Sequence, residues 1–196
     1  MAEITEDDVD PAANGRRLIS TARLDLLLFT AQSLEALLTG RTSSIDGVAL
    51  PADWVRRSEG VLRRRLDQVS HDRSCEPWLL RAMVRRDTRT FVGRIGFHGE
   101  PGINALGAPG AVELGYTVEP ELRRRGFAEE AIRGMIAWAE ARSVSRFMAS
   151  IGPTNIPSLE LAAKLGFAQI AQVIDEEDGP ELVFELRTDR GGPAAR

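Results

Sequence analysis

Hydrophobic and polar positions recur along this chain with two periods, one of about two residues and one of about 3.6. Leu24, Leu26 and Leu28 alternate with Arg23, Asp25 and Leu27, which predicts a first strand. A short helix is expected over Ser33–Leu38, ended by Gly40. From Asp53 to Val69 the longer period takes over, with Trp54, Val55, Leu62, Leu66 and Val69 on one side of a helix. Trp78–Arg85 and Thr90–Phe97 predict two strands joined by a polar turn, hence a hairpin. The glycine-rich stretch Gly102–Gly110 is expected to be a mobile loop. Ala111–Val118 predicts a strand, and Phe127–Ala141 a helix whose stripe is Phe127, Ala131, Ile132, Met135, Ile136 and Ala139. Phe147–Ile151 predicts a buried strand, and Ser158–Leu165 a helix stopped by Gly166. Phe167–Ile174 and Leu182–Leu186 predict two last strands around an acidic turn.

This order describes a β-rich sheet with helices interspersed, an α/β (α+β) fold. Residues 1–16 are polar and acidic and are expected to form a flexible tail, as are residues 189–196, leaving one domain over 17–188. Its 43% hydrophobic and 28% charged residues are ordinary for a soluble globular chain. A net charge of −4 leaves no basic footprint, so a nucleic-acid partner is not expected. The single cysteine, Cys75, rules out an internal disulfide or a cysteine-based zinc site, and no metal is expected. With no apolar leader at the N-terminus and no apolar run near the ~20 residues that span a bilayer, the expected setting is cytoplasmic, away from membranes.

The densest chemistry lies at Arg123-Arg124-Arg125-Gly126-Phe127-Ala128, between a predicted strand and a predicted helix. Three arginines at a helix start oppose the helix dipole, a cost that a bound anion removes. Free N–H groups at a helix N-terminus bind phosphate, and a glycine lets a ligand approach the backbone. The alternative is a solvated patch in an arginine-rich chain. Neither GxxxxGK[ST] nor GxGxxG is present, so the usual nucleotide folds are not supported.

Arg123-x-x-Gly126-x-Ala128 resembles the [QR]-x-x-G-x-[GA] loop of the GNAT superfamily of N-acetyltransferases, whose amides hold the pyrophosphate of acetyl-CoA. Asn155-x-x-Ser158 followed by Lys164-Leu165-Gly166-Phe167 resembles that family's second motif at the right spacing. The opening from Ser20 is similar to the T-x-R-L-x-L start of the branch containing ribosomal-protein-alanine N-acetyltransferases. The resemblance spans roughly Ile19 to Leu186. It implies a GNAT-like mixed, mostly antiparallel sheet of six to seven strands with about four helices. It also implies direct acetyl transfer from acetyl-CoA to a primary amine in a ternary complex, and leaves a homodimer open.

By the same resemblance, backbone amides around Tyr116, Thr117 and Val118 bind the pantetheine and polarise the carbonyl, and Asn155 touches the cofactor. Glu113 is the candidate general base, acting directly or through a water; a solvent-facing residue or an arginine partner is the other reading. Many relatives carry a proton-donating tyrosine where this chain has Ala162. Ser158 is the candidate to assist the leaving thiolate, or it binds coenzyme A or caps the following helix. His98 closes its strand near the acceptor side, with a locally bonded histidine as the simpler reading; His71 carries no assigned role. The three tryptophans read as core and Cys75 as a bystander. An α-amine of pKa ~7.8 is roughly 14% neutral at pH 7 and a lysine of ~10.4 roughly 0.04%, so a site with one carboxylate base suits the α-amine. The competing class is a non-catalytic acyl-CoA-binding regulatory module, kept open by Ala162; acyl transfer to a hydroxyl is a third reading.

Overall fold

The computed structural model describes residues 18–175 and 179–188. The two expected tails, residues 1–16 and 189–196, and the tip of the acidic turn lie outside them.

The strands are β1 (Leu18–Ser20), β2 (Leu24–Leu28), β3 (Ser44–Ile45), β4 (Val48–Ala49), β5 (Arg81–Arg85), β6 (Phe91–Phe97), β7 (Ala111–Val118), β8 (Arg146–Ile151), β9 (Ala168–Asp175) and β10 (Gly179–Arg187). The α-helices are α1 (Ala31–Leu38), α2 (Trp54–His71), α3 (Phe127–Glu140) and α4 (Ile156–Leu165). Eight strands form one sheet in the order β1-β2-β5-β6-β7-β8-β10-β9, and β3 and β4 form a separate small hairpin. The sheet exceeds the expected six to seven strands because β1, only three residues long, is too short to show a period. It pairs with β2 across a turn in which the Thr21 amide donates to the Leu24 carbonyl at 2.8 Å.

The expected strand from Trp78 starts late. Arg73–Trp78 is a 3₁₀ turn containing Pro77, and Asp72 accepts from the Ser74 amide at its start. The chain then crosses β6 so closely that a Cβ on Gly96 would stand 2.5 Å from the Leu79 carbonyl oxygen. The hairpin between β5 and β6 forms as expected, closed by the Arg85 amide on the Thr90 carbonyl at 2.8 Å.

Two apolar layers cover the two faces of the sheet. On one, Met83, Ile95, Phe97, Leu114 and Phe147 meet Phe127, Ile132, Met135 and Trp138 of α3. On the other, Leu80, Ala82, Val84 and Phe91 meet Leu34 and Leu37 of α1 and Trp54 and Leu62 of α2. All three tryptophans pack against aromatic partners, as expected of core residues, and Cys75 is buried. α1 starts at Ala31, earlier than its apolar pattern suggests, because Thr30 caps it through the Ser33 amide at 3.2 Å. Thr30→Ala should cost about 1 kcal/mol of stability, readable as a lower urea midpoint at unchanged slope.

Every neighbouring pair in the large sheet is antiparallel except β7 and β8. Their parallel ladder joins Ala111 to Arg146, Val112 to Phe147 and Glu113 to Met148, and then stops. From Leu114 and Ala149 onward the two strands splay apart, and a gap opens in the middle of the sheet. Among the described residues no helix is long and apolar enough to cross a membrane.

Candidate active site

The splay follows from connectivity. Parallel strands need a crossover, and here the crossover is α3, which packs on β7, β6, β2 and β1. α4 then follows β8 on the same side of the sheet, with Leu159, Leu161 and Leu165 packed on the α3 layer. A groove of about 780 Å³ runs between the end of β7 and the starts of α3 and α4. A smaller cavity of about 170 Å³ continues it into the splay, between Leu114–Tyr116 and Ala149–Ile151. Tyr116, Asn155, Ser158 and Leu161 line both and form their junction.

The groove brings together nearly all the residues singled out in the sequence. Tyr116, Thr117, Val118, Arg123, Arg124, Gly126, Phe127, Ala128, Asn155 and Ser158 line it, and Arg125 stands outside its lining. α3 begins at Gly126, whose φ of 77° is left-handed, and its first intrahelical bond runs from the Glu130 amide to the Gly126 carbonyl. The amides before Glu130 therefore have no intrahelical acceptor, and they face the groove end of the helix. The three arginines divide their labour. Arg123 folds back and donates from Nε to the Val118 carbonyl at 3.0 Å, fixing the loop to β7. Arg124, itself left-handed at φ 61°, reaches Glu160 on α4 at 3.5 Å in an exposed pair. Arg125 offers its carbonyl to Arg23 Nη1 at 3.1 Å.

Arg23 is a contributor that sequence reasoning did not assign. Its guanidinium lies over the Phe127 ring, 4.8 Å from the centroid, and beside Gly126. Glu130 in the first turn of α3 accepts from Arg23 Nε, the Arg23 amide and Thr21 Oγ1, each at 2.6 Å. The T-x-R-L opening thus clamps the N-terminal strands to the start of α3. Those three bonds hold the Glu130 carboxyl below its ordinary value although burial pushes it up. Lys164 also lines the groove and crosses it to Glu129 at 2.5 Å.

Asn155 caps α4, its Oδ1 accepting from the Ser158 amide at 3.4 Å, so it serves as a helix cap while also lining the groove. Ser158 Oγ lies 3.0 Å from Tyr116 Oη. Burial pushes the Tyr116 phenol up, with Ser158 pulling partly back, so it stays protonated near neutral pH. Ala162 is buried and lines the splay cavity beside these hydroxyls.

Glu113 is the last paired residue before the splay. It is 2% exposed, so it does not face solvent, and its ion-pair partner among the described residues is His98. Ser150 Oγ donates to its Oε1 at 2.5 Å and the Ala105 amide to its Oε2 at 2.6 Å. His98 Nδ1 stands 3.7 Å from Oε2. The glycine-rich stretch expected to be mobile is a loop folded over this carboxylate. Asn104 pins it through the Leu106 and Ala108 amides and the Ala108 and Ala111 carbonyls. Among the described residues no group of three His, Cys, Asp or Glu is placed to hold a metal.

Comparison with known proteins agrees with this geometry. The family model for the acetyltransferase (GNAT) domain matches residues 23–168. An uncharacterized N-acetyltransferase of Bacillus subtilis, YjdG, is 34% identical over 93 residues, covering 47% of this chain and 51% of that protein. An N-acetyltransferase 9-like protein of Caenorhabditis elegans is 41% identical over 83 residues, covering 41% and 39%. The chain thus spans about half or less of the length of the curated relatives it matches. Among solved structures, a coenzyme A complex of the RimL ribosomal L7/L12 alpha-N-protein acetyltransferase superposes with a TM-score of 0.58 at 15% identity, covering 87% of this chain and 97% of that one. At that identity the likeness speaks for the fold alone. The splayed parallel pair, the left-handed glycine at the head of α3 and the matched domain over three quarters of the chain lead to one assignment: this protein belongs to the GNAT acetyltransferase family.

Proposed function

We propose that this protein transfers an acetyl group from acetyl-CoA directly to a primary amine within a ternary complex. The observation that carries the reading is one continuous path. It runs from the free amides at the head of α3, through the Tyr116–Ser158 junction, into the splay that opens beyond Glu113. The residues present fit coenzyme A. The helix start and Arg124 suit a pyrophosphate, and the unpaired edge of β7 from Leu114 to Val118 suits an amide-bearing arm. The bound cofactor supplies an activated acyl group. The hydroxyls of Ser158 and Tyr116, at the junction of the two cavities, would supply the hydrogen bond to a departing sulfur that the methyl group at Ala162 cannot give. Glu113 stands at the end of the paired β7–β8 ladder as the carboxylate of the site, and the acceptor amine loses its proton on that face of the sheet.

Calorimetric titration with acetyl-CoA followed by an amine screen read by product mass tests this. Micromolar binding with an acetylated product supports it. Binding without turnover of any amine favours the alternative, a non-catalytic acyl-CoA-binding module.

The acceptor we propose is an α-amine, such as a protein N-terminus. The chain carries one buried carboxylate beside the splay and no tyrosine on α4, so it suits the amine that is easier to deprotonate. Peptides carrying both a free N-terminus and a lysine should be acetylated at the N-terminus, located by fragment masses. Modification of lysine with the N-terminus untouched would overturn this assignment.

A further inference from the structure

Building on the acetyl-transfer reading, we infer that His98 is the residue that takes the proton from the acceptor amine, with Glu113 as the positioning residue behind it. The inference follows from which face of the sheet each group occupies. β6 and β7 are antiparallel, with Arg94 opposite Thr117, Gly96 opposite Gly115, and the His98 amide donating to the Glu113 carbonyl at 2.7 Å. Paired residues share a face, so Arg94, His98, Glu113, Gly115 and Thr117 stand together. Ile95, Phe97, Leu114 and Tyr116 face the other way, toward α3, α4 and the cofactor groove. An amine approaching from the face opposite the groove meets the His98 side.

Glu113 cannot touch that amine. Ser150 and the Ala105 amide occupy its two oxygens, the loop covers it, and it is only 2% exposed. The His98 side chain is 43% exposed. Its Nδ1 faces Glu113, and its Nε2 lies 3.0 Å from where a Cβ on Gly115 would stand. Gly115 lines the splay cavity, so Nε2 reaches the edge of the gap that the acyl group would enter. The backbone around the ring is fixed: Arg65 Nη1 and Gln68 Nε2 of α2 both donate to the His98 carbonyl at 2.9 Å. A histidine with Nδ1 at ion-pair distance from a buried carboxylate and Nε2 turned to the gap is placed to act as a general base.

The charged groups facing His98 are Glu113 on β7, Arg94 on β6, and Arg64 and Arg65 on α2. Burial lowers its basicity, Glu113 opposes this, and the arginines add to the lowering. In its neutral form the imidazole has a lone pair on Nε2 to accept a proton. The ammonium of the acceptor gives one proton to Nε2. The freed nitrogen pair forms the bond to the carbonyl carbon while the carbon–sulfur bond breaks with its electron pair on sulfur. The second nitrogen-bound proton ends on the thiol, and His98 returns its proton to water. The products are the amide, coenzyme A and one proton.

The test combines NMR with kinetics. The chain has two histidines, and His71 is a largely exposed reference. In the free protein, Glu113→Gln should move the His98 ring titration to lower pH and leave His71 in place; an unmoved His98 breaks the proposed pair. In steady-state assays across pH, His98→Gln should lower kcat by about 100-fold or more. The acid limb of the rate profile should vanish, with acetyl-CoA affinity unchanged as the check on folding. His71→Gln should change nothing. Full activity in His98→Gln, or a loss in Ser150→Ala that His98→Gln does not share, would overturn the assignment in favour of Glu113 acting through Ser150. No turnover by the unmodified protein with any amine would defeat the acetyl-transfer reading itself, and this assignment with it. Turnover that survives His98→Gln defeats only the assignment.

Discussion

Gly126→Glu should abolish measurable acetyl-CoA binding, a loss of at least about 1000-fold, while the circular dichroism of the folded protein persists. Three effects add. A side chain at φ 77° costs about 1 kcal/mol or more, since only glycine adopts that region freely. The new Cβ would stand 3.3 Å from Arg23 Nη2, which has to shift and loosen its hold on the Arg125 carbonyl. The carboxylate itself occupies the free amides at the head of α3 and repels a phosphate from them, in a place where the dipole favours one negative group. Gly126→Ala keeps the first two costs and lacks the third, so it should lose only about tenfold. Calorimetry on both variants separates backbone strain from competition for the amides. Equal losses in the two would mean that the loop's shape, and not its anion-binding amides, carries the affinity.

The order of elements was legible because β6, β7, α3 and β8 are long enough to show their periods and are buried on the faces those periods define. β1, β3 and β4 were not, since two or three residues carry no period and only their pairing defines them. The groove was legible through short motifs whose physics is local: a glycine at a left-handed helix start and an asparagine capping α4. What stayed hidden depends on contacts far apart in sequence. Glu130 meets Thr21 and Arg23 across more than a hundred residues, and Ser150 meets Glu113 across 37. The burial of Glu113 depends on the loop that Asn104 folds over it, which no local period along β7 announces. His98 read as locally bonded from sequence because nothing in the chain order brings it beside Glu113; the antiparallel register does.

The second large effect is expected at Glu130, where a stability change and a binding change share one cause. Glu130→Ala removes an acceptor of three bonds at a site whose side chain is 15% exposed, leaving Thr21 Oγ1 and the Arg23 amide without it. The cost should be about 3 kcal/mol, roughly 150-fold in the folding constant, seen as a lower urea midpoint. Arg23 also holds the Arg125 carbonyl and stacks on Phe127, so the same variant should weaken acetyl-CoA binding about tenfold, while Arg133→Ala one turn along α3 should not. The acid response gives a further check. Because the folded carboxyl sits below its ordinary value of 4.5, its stabilisation is complete above that value and is lost as pH falls through the lower, folded value. Unfolding free energy should therefore drop more steeply below about pH 4.5 in the native chain than in Glu130→Gln, which has no proton to take up. Parallel acid curves for the two proteins would show that the ion pair with Arg23 adds nothing beyond the hydrogen bonds. In that case the T-x-R-L opening would hold the start of α3 through geometry alone.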